Sequence, residues 1–407
     1  MTLPPEILDK ILGHIPTDDE GRPTLIACAL VATWWTGPSQ KRLFSSILID
    51  EGNYQRWMNG VVLSRSKIRL LGHVRSLLHC RGDFGAKYRM RDLPHDSGGY
   101  LSALRDINSL ILLNIAVEHV SEEQFHICFS AFRETITHLS LSTFATSFSA
   151  FVTLVDYFPN ITALELDSLA LEPDEGPVPP LSRPLRGKVH VHYADHVQAD
   201  FLEFHSRFAK LDLEYEELVV DSSCPMDEKP LENVLQMSAA TIKFLRLTTE
   251  LQCERPLSHS SKLRPYPPTH VQAKAEATIY DFRQLRELEL VVTWPNSCHR
   301  ALISSISSTD FRKIIFQGRH LDNRKTFAWL MGAWASIDKE LCGLVGRLRA
   351  IGYQHTLEVE LRLMKVGSDP EDYDFTEVFP DFRQKGVVTI IDVADGDRVL
   401  HSSTHNH

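Results

Sequence analysis

A short phrase of the form apolar-x-x-apolar-x-apolar returns along the whole chain, and a repeat of this kind limits the fold more than any single motif can. It reads "VRSLLHC" at 74–80, "INSLILL" at 107–113, "ITHLSLS" at 136–142, "ITALELD" at 161–167, "YEELVVD" at 215–221, "IKFLRLT" at 242–248, "LRELELV" at 285–291 and "FRKIIFQ" at 311–317. Only the first copy departs, with His79 at the last apolar position. Successive copies begin 25 to 33 residues apart, except for longer steps from 161 to 215 and from 242 to 285. The first long step has room for a weaker copy, "RGKVHVH" at 186–192, and the second contains "PLSHSSKLRPYPPTH", which reads as a loop insertion. Each phrase alternates as a half-buried strand does. Between phrases lie stretches of helical period. "SEEQFHICFSAF" opens with a Ser cap and two acids, then sets Phe125, Cys128, Phe129 and Phe132 on one face. "SFSAFVTLVDYF" does the same with Phe148, Phe151, Val152, Val155 and Phe158. Strand, turn and helix at this period predict a βα solenoid in which each unit buries its apolar face against its neighbours. Another α/β packing of the same elements stays open.

The first fifty residues follow a different pattern. In "LPPEILDKILGHIP", residues 3–16, Leu3, Ile7, Leu8, Ile11 and Leu12 form a wide apolar face, and the proline pair stands where a helix start lacks N–H partners in any case. A polar turn, "TDDEGRP", leads to "TLIACALVATWW" and then "KRLFSSILID", so three short helices or turns are expected here. So little chain buries a low fraction of its surface, which leaves apolar side chains over for a partner.

These three phrases together resemble the F-box in the form common in mushroom-type fungal protein families. The resemblance implies docking to a Skp-family adaptor, and through it to a cullin and a RING protein. Carried over by position, the adaptor-binding residues are Leu3, Pro4, Ile7, Leu8, Ile11, Leu30, Val31 and Trp35, with Leu43 and Phe44 closing the helical group. The family usually ends its second half with a Cys-Arg-x-Trp-like sequence, and here Ala32 and Thr33 stand in it. The recurring phrase resembles the leucine-rich repeat, in degenerate form, because Phe144, Leu169 and Thr293 occupy positions where that family has Asn or Cys. The implied organisation is an α/β chain with an F-box-like module over 1–50, a leucine-rich-repeat-like solenoid over 51–394 and a flexible tail over 395–407. The implied role is substrate receptor of an SCF-type ubiquitin ligase, with the substrate itself unspecified. A repeat-based interaction scaffold, its N-terminal helices serving only as a cap and lying outside ubiquitination, is the second reading.

Composition narrows the partners. The net charge of -10, from 53 acids against 43 Lys and Arg, argues against nucleic acid, whose binding needs a concentrated basic surface. The longest apolar run, "LILLNIAV" at 110–117, is well short of the roughly 18 residues a membrane span needs, and no signal-type segment leads the chain. No membrane partner is expected, and the cytoplasm or nucleus is the expected place. Seven scattered cysteines without a CxxC pair read as mostly buried reduced thiols. Phosphate-loop, dinucleotide, HExxH and GxSxG signatures are absent, so neither an enzyme nor a cofactor is expected. "VHVHYADH" sets His190 and His192 on one side of a strand, but two histidines make an incomplete metal site. The Arg81-Gly82-Asp83 tripeptide reads as coincidence. Residues flanking the apolar strand positions point away from the core: Ser140, Glu165, Asp167, His190, His192, Glu217, Asp221, Arg246, Glu287 and Glu289. Six of the ten are acidic. They form either a surface that steers a Lys- or Arg-bearing protein substrate or the solvated faces of ordinary strands. The helical stretch Lys325 to Ala350, with Trp329 and Trp334, is expected to begin a closing cap.

Overall fold

The recurring phrase is strand-forming in every copy, and in all but those of 186–192 and 215–221 the strand starts two residues into the phrase. The computed structural model describes residues 4–16, 20–49, 76–80, 88–89, 107–113, 115–117, 126, 129–142, 145–168, 170–172, 180–193, 207, 211, 213–222, 226–227, 235–236, 238–248, 251–252, 280–292, 297–318, 324–363, 375–393 and 398–402. The protein is mixed α/β with mostly parallel strand pairing, and it divides into two compact units, Met1–Leu185 and Arg186–His407.

The first unit opens with three helices, α1 (Pro5–Gly13), α2 (Arg22–Val31) and α3 (Thr33–Leu43). Leu8, Leu12 and Leu25 form their core, with Ile15, Cys28, Trp34, Trp35 and Leu43 packed against it. The stretch "TLIACALVATWW" is not one helix: Ala32 is extended (φ -158°, ψ 154°), so both tryptophans ride on α3. Arg42 reaches from α3 to the carbonyls of Gly13 and Ile15, each at 3.1 Å, and so satisfies acceptors that the end of α1 leaves open. Gly21 allows the turn into α2 to pass the Pro16 carbonyl, which a Cβ would overlap.

The strands of this unit are β1 (Ser46–Ile49), β2 (Ser76–Cys80), β3 (Tyr88–Arg89), β4 (Ser109–Leu113), β5 (Ile115–Val117), β6 (His138–Ser142), β7 (Ala145–Ser147), β8 (Ala163–Asp167) and β9 (Ala170–Glu172). They pair in the order β1-β2-β4-β6-β8, all parallel, and β3-β5-β7-β9, also parallel. "SILI", expected within the helical module, is thus a sheet strand. Leu110, Leu112, Leu139, Leu141, Leu164 and Leu166 are buried while their neighbours are half-buried, the period-2 pattern of the phrase. The leading apolar residue of each phrase, Ile107, Ile136 and Ile161, is buried just ahead of its strand. Parallel neighbours need a crossover connection, and the helix Phe148–Tyr157 belongs to one. Ser147 caps it by accepting from the Ala150 amide at 3.2 Å, and Phe148, Phe151, Val152, Val155 and Phe158 are buried as their spacing requires. Phe129 and Phe132 are buried too, whereas Phe125 and Cys128 lie outside the described residues.

The second unit holds β10 (Leu185–Tyr193), β11 (Leu213–Ser222), β12 (Met226–Asp227), β13 (Phe244–Leu247), β14 (Leu251–Gln252), β15 (Glu287–Val291), β16 (Lys313–Gly318), β17 (Glu358–Leu363), β18 (Val387–Asp392) and β19 (Arg398–Ser402). From β11 through β13, β15, β16 and β17 to β18 every pairing is parallel, and β12 pairs with β14. Two expectations are corrected here. The long helix, Arg324–Ala350, does not begin a cap, because the parallel strands β17 and β18 follow it. Residues 398–402, expected in a flexible tail, form β19 and pair antiparallel with β18. Buried Asp338 on the long helix accepts from the amides of Asp381 (3.0 Å) and Phe382 (2.8 Å) and so seats the turn that leads into β18. Gly386 gives that turn room, since a Cβ there would overlap the Phe382 ring and the Leu357 carbonyl.

Among the cysteines, Cys28 and Cys342 are free thiols but half-buried rather than buried, and buried Cys298 is disulfide-bonded, against the expectation of reduced thiols. Its neighbour His299, on the helix Ser297–Ser304, is buried, and burial lowers its pKa to about 4 against the opposing pull of a hydrogen bond with the Val291 backbone. The ring is therefore neutral at pH 7 and titrates near 6.5 once unfolded. A folded pKa below the unfolded one means that stability is fully present above pH 6.5 and is lost as pH falls toward 4, about 2 kcal/mol of it by pH 5. The urea midpoint of the full chain should fall between pH 7 and pH 5 by more than that of His299→Gln. An identical pH dependence in the two proteins would refute a buried neutral ring.

Candidate docking surfaces

The eight carried-over positions separate into two groups. Ile7 and Ile11 on α1 and Leu30 and Val31 on α2 expose much of their side chains, Leu30 to 81% and Val31 to 71%, and Pro4 is exposed at the start of α1. Leu8 is a correction: it is buried in the three-helix core and is not available to a partner. Trp35 is half-buried against the same core, 5.5 Å from the Trp34 ring, so it supports the helices as much as it faces outward. Leu3 lies outside the described residues. The sequence reading missed Ile26, which is exposed one turn before Leu30 on α2; its i, i+4 spacing was the available signal. Five of the eight large hydrophobic side chains exposed among the described residues lie between Ile7 and Val31. Water-exposed apolar residues collected in one short segment mark an interaction surface more than a scatter of single residues does.

The strand faces differ from the expected acidic surface. Parallel strands lie about 4.8 Å apart, which sets same-face side chains of adjacent strands opposite one another. In the first unit Ser140 is in register with Glu165 and Ser142 with Asp167. Glu165 lies 3.3 Å from the His138 ring, and Asp167 accepts from Ser142 at 2.7 Å. In the second unit Lys188 pairs with Glu217 (3.0 Å), His192 with Asp221 (3.2 Å) and Lys313 with Glu360 (2.6 Å). Glu289 is the sharpest departure: its side chain is only 3% exposed, held by Arg246, by the Gln317 amide and, at 3.8 Å, by Arg362. Burial alone would raise the Glu360 pKa, yet hydrogen bonds from Lys313 and Arg362 outweigh it and hold the carboxyl below its ordinary value. Most of the acids are therefore spent on neighbouring strands. For Glu165, Asp167, Glu217, Asp221 and Glu289 this compensation was invisible in the sequence, because their partners stand from 25 residues away, for Ser142 and Asp167, to 73, for Glu289 and Arg362.

Four of the expected residues, Glu217, Arg246, Glu287 and Glu289, come together in one small depression. Glu217, Phe244, Leu245, Arg246, Glu287 and Glu289 line a shallow hollow of about 140 Å³ on the second unit. His190 and His192 sit on β10, and His192 is committed to Asp221. Among the described residues no group of three His, Cys, Asp or Glu side chains is placed to hold a metal ion, and no helix is long and apolar enough to cross a membrane. The surfaces in hand are exposed apolar side chains on α1 and α2 and a charge-laddered strand face. No family model matches the chain, and no curated protein matches it at a significant level.

Proposed function

We propose that the protein is a substrate receptor of an SCF-type cullin-RING ubiquitin ligase, with residues 1–50 an F-box-like module and the strand-bearing remainder a degenerate leucine-rich-repeat-like solenoid. The observation that carries the reading is the exposure of Ile7, Ile11, Ile26, Leu30 and Val31 on helices whose own core is already filled by Leu8, Leu12 and Leu25. Such side chains gain about 25 cal/mol per Å² when a partner covers them. Parallel strands at short sequence intervals, joined through helices, fit a solenoid that presents its strand face to a protein substrate. The receptor would form no covalent bond itself. Its contribution is to hold the substrate beside a ubiquitin-conjugating enzyme brought by the cullin and RING protein, raising the effective concentration.

Co-expression of the full chain with a Skp-family adaptor tests this directly. A complex that stays together through size exclusion is the expected result. An adaptor that elutes entirely apart would sink the receptor reading and favour an interaction scaffold whose helices serve only as a cap.

A further inference from the structure

One feature of the second unit is left over from the ion-pair ladder. Phe244 is 41% exposed, yet it stands in a row of charged side chains: the strand register runs Glu217, Phe244, Glu287, Lys313. At the spacing of parallel strands, the ring is flanked by two carboxylates. The charges nearby are otherwise satisfied. Glu289 is held by Arg246, Glu217 shares its charge with Lys188, and Lys313 turns to Glu360. Glu287 has no ion pair among the described residues. An open aromatic face beside an uncompensated carboxylate suits a group that is both hydrocarbon and cationic, since a cation over a ring is attracted by its quadrupole and long basic side chains lay their methylenes on apolar surface. An acidic ligand finds no free cation here, because Arg246 is engaged by buried Glu289. A second copy of this chain, with its net charge of -10, is a poor occupant for the same site.

We propose that the Phe244 hollow binds a lysine or arginine side chain of an extended basic segment in the protein substrate, with the methylenes on Phe244 and the cation beside Glu287 and Glu217. The proposal rests on the strand face being the substrate side, but its test needs no adaptor, so either can fail without the other.

Short fluorescein-labelled Gly-Ser peptides with a central Arg-Lys pair, titrated into the full-length protein and followed by anisotropy, supply the test. The basic peptide should bind at least about tenfold more tightly than versions with norleucine or glutamate in place of the pair. Phe244→Ala and Glu287→Gln should each weaken it about fivefold. Glu134→Gln, which removes an exposed acid of the first unit, should leave binding unchanged. Circular dichroism checks that the variants remain folded. Absence of binding, equal affinity for the norleucine peptide, or an equal loss from Glu134→Gln would overturn the proposal, the last by showing only diffuse attraction to an acidic chain.

Discussion

The double variant Leu30→Asp, Val31→Asp should lose at least about a hundredfold in affinity for a Skp-family adaptor, because burying a Leu and a Val contributes roughly 3 kcal/mol or more and an unpaired carboxylate resists burial. The two side chains already face water, at 81% and 71% exposure, so the fold has little to lose from their replacement. Two acids in the last turn of α2 oppose the helix dipole, and a stability change of up to about 1 kcal/mol is allowed for that reason. Calorimetric titration against the adaptor and urea unfolding of the full chain measure the two quantities separately. Unchanged adaptor affinity would remove α2 from the docking surface. A stability loss of several kcal/mol would instead mean that another part of the chain covers these residues, as a cap requires.

Trp334→Ala is expected to be the most destabilising single truncation in the second unit, at about 4 kcal/mol. The side chain is fully buried, and its ring meets Phe316 of β16 at 5.0 Å and Phe379 at 5.3 Å, both edge-on. Phe379 has the left-handed backbone (φ 52°) that a bulky residue rarely adopts, so its ring has to be held by those contacts. Trp334→Phe should cost far less, about 1 kcal/mol, because it keeps an aromatic filler and deletes an indole N–H that is buried without an acceptor. The consequence reaches the proposed substrate face through the sheet: β16 pairs along its length with β15, which carries Glu287 and Glu289. Urea midpoints of the three proteins decide the matter. A cost below about 1 kcal/mol for the alanine would show that the Phe316 and Phe379 cluster closes without the indole.

Much of the fold was legible from local pattern. The recurring phrase has period 2, and copies near 107, 136, 161, 242, 285 and 311 all became strands with their leading apolar residue inside; burial alternates in the first four and runs over three consecutive residues in β15 and β16. The Ser147 cap and the phenylalanine stripe behind it likewise needed no tertiary information. Strands of two or three residues such as β5 and β7 were not legible, since too few side chains alternate to make a signal. β17 and β18 were missed as well: β17 begins 45 residues after β16, a wider step than the repeat suggests, and β18 follows β17 by 29.

The candidate surfaces divide in the same way. Sequence alone determined that the first fifty residues carry more apolar side chains than they can bury, and that the sheet alternates a polar and an apolar face. Only the tertiary structure decided that Leu8 turns inward while Ile26 turns outward, because that choice depends on how α1 and α2 rotate against α3. It also decided that Glu165, Asp167, Glu217, Asp221 and Glu289 meet partners while Glu287, in register with Phe244, has no ion pair among the described residues. Charge pairing across parallel strands is set by register between segments separated by whole crossovers, and a one-dimensional pattern holds no record of which side chains that register brings within 4 Å.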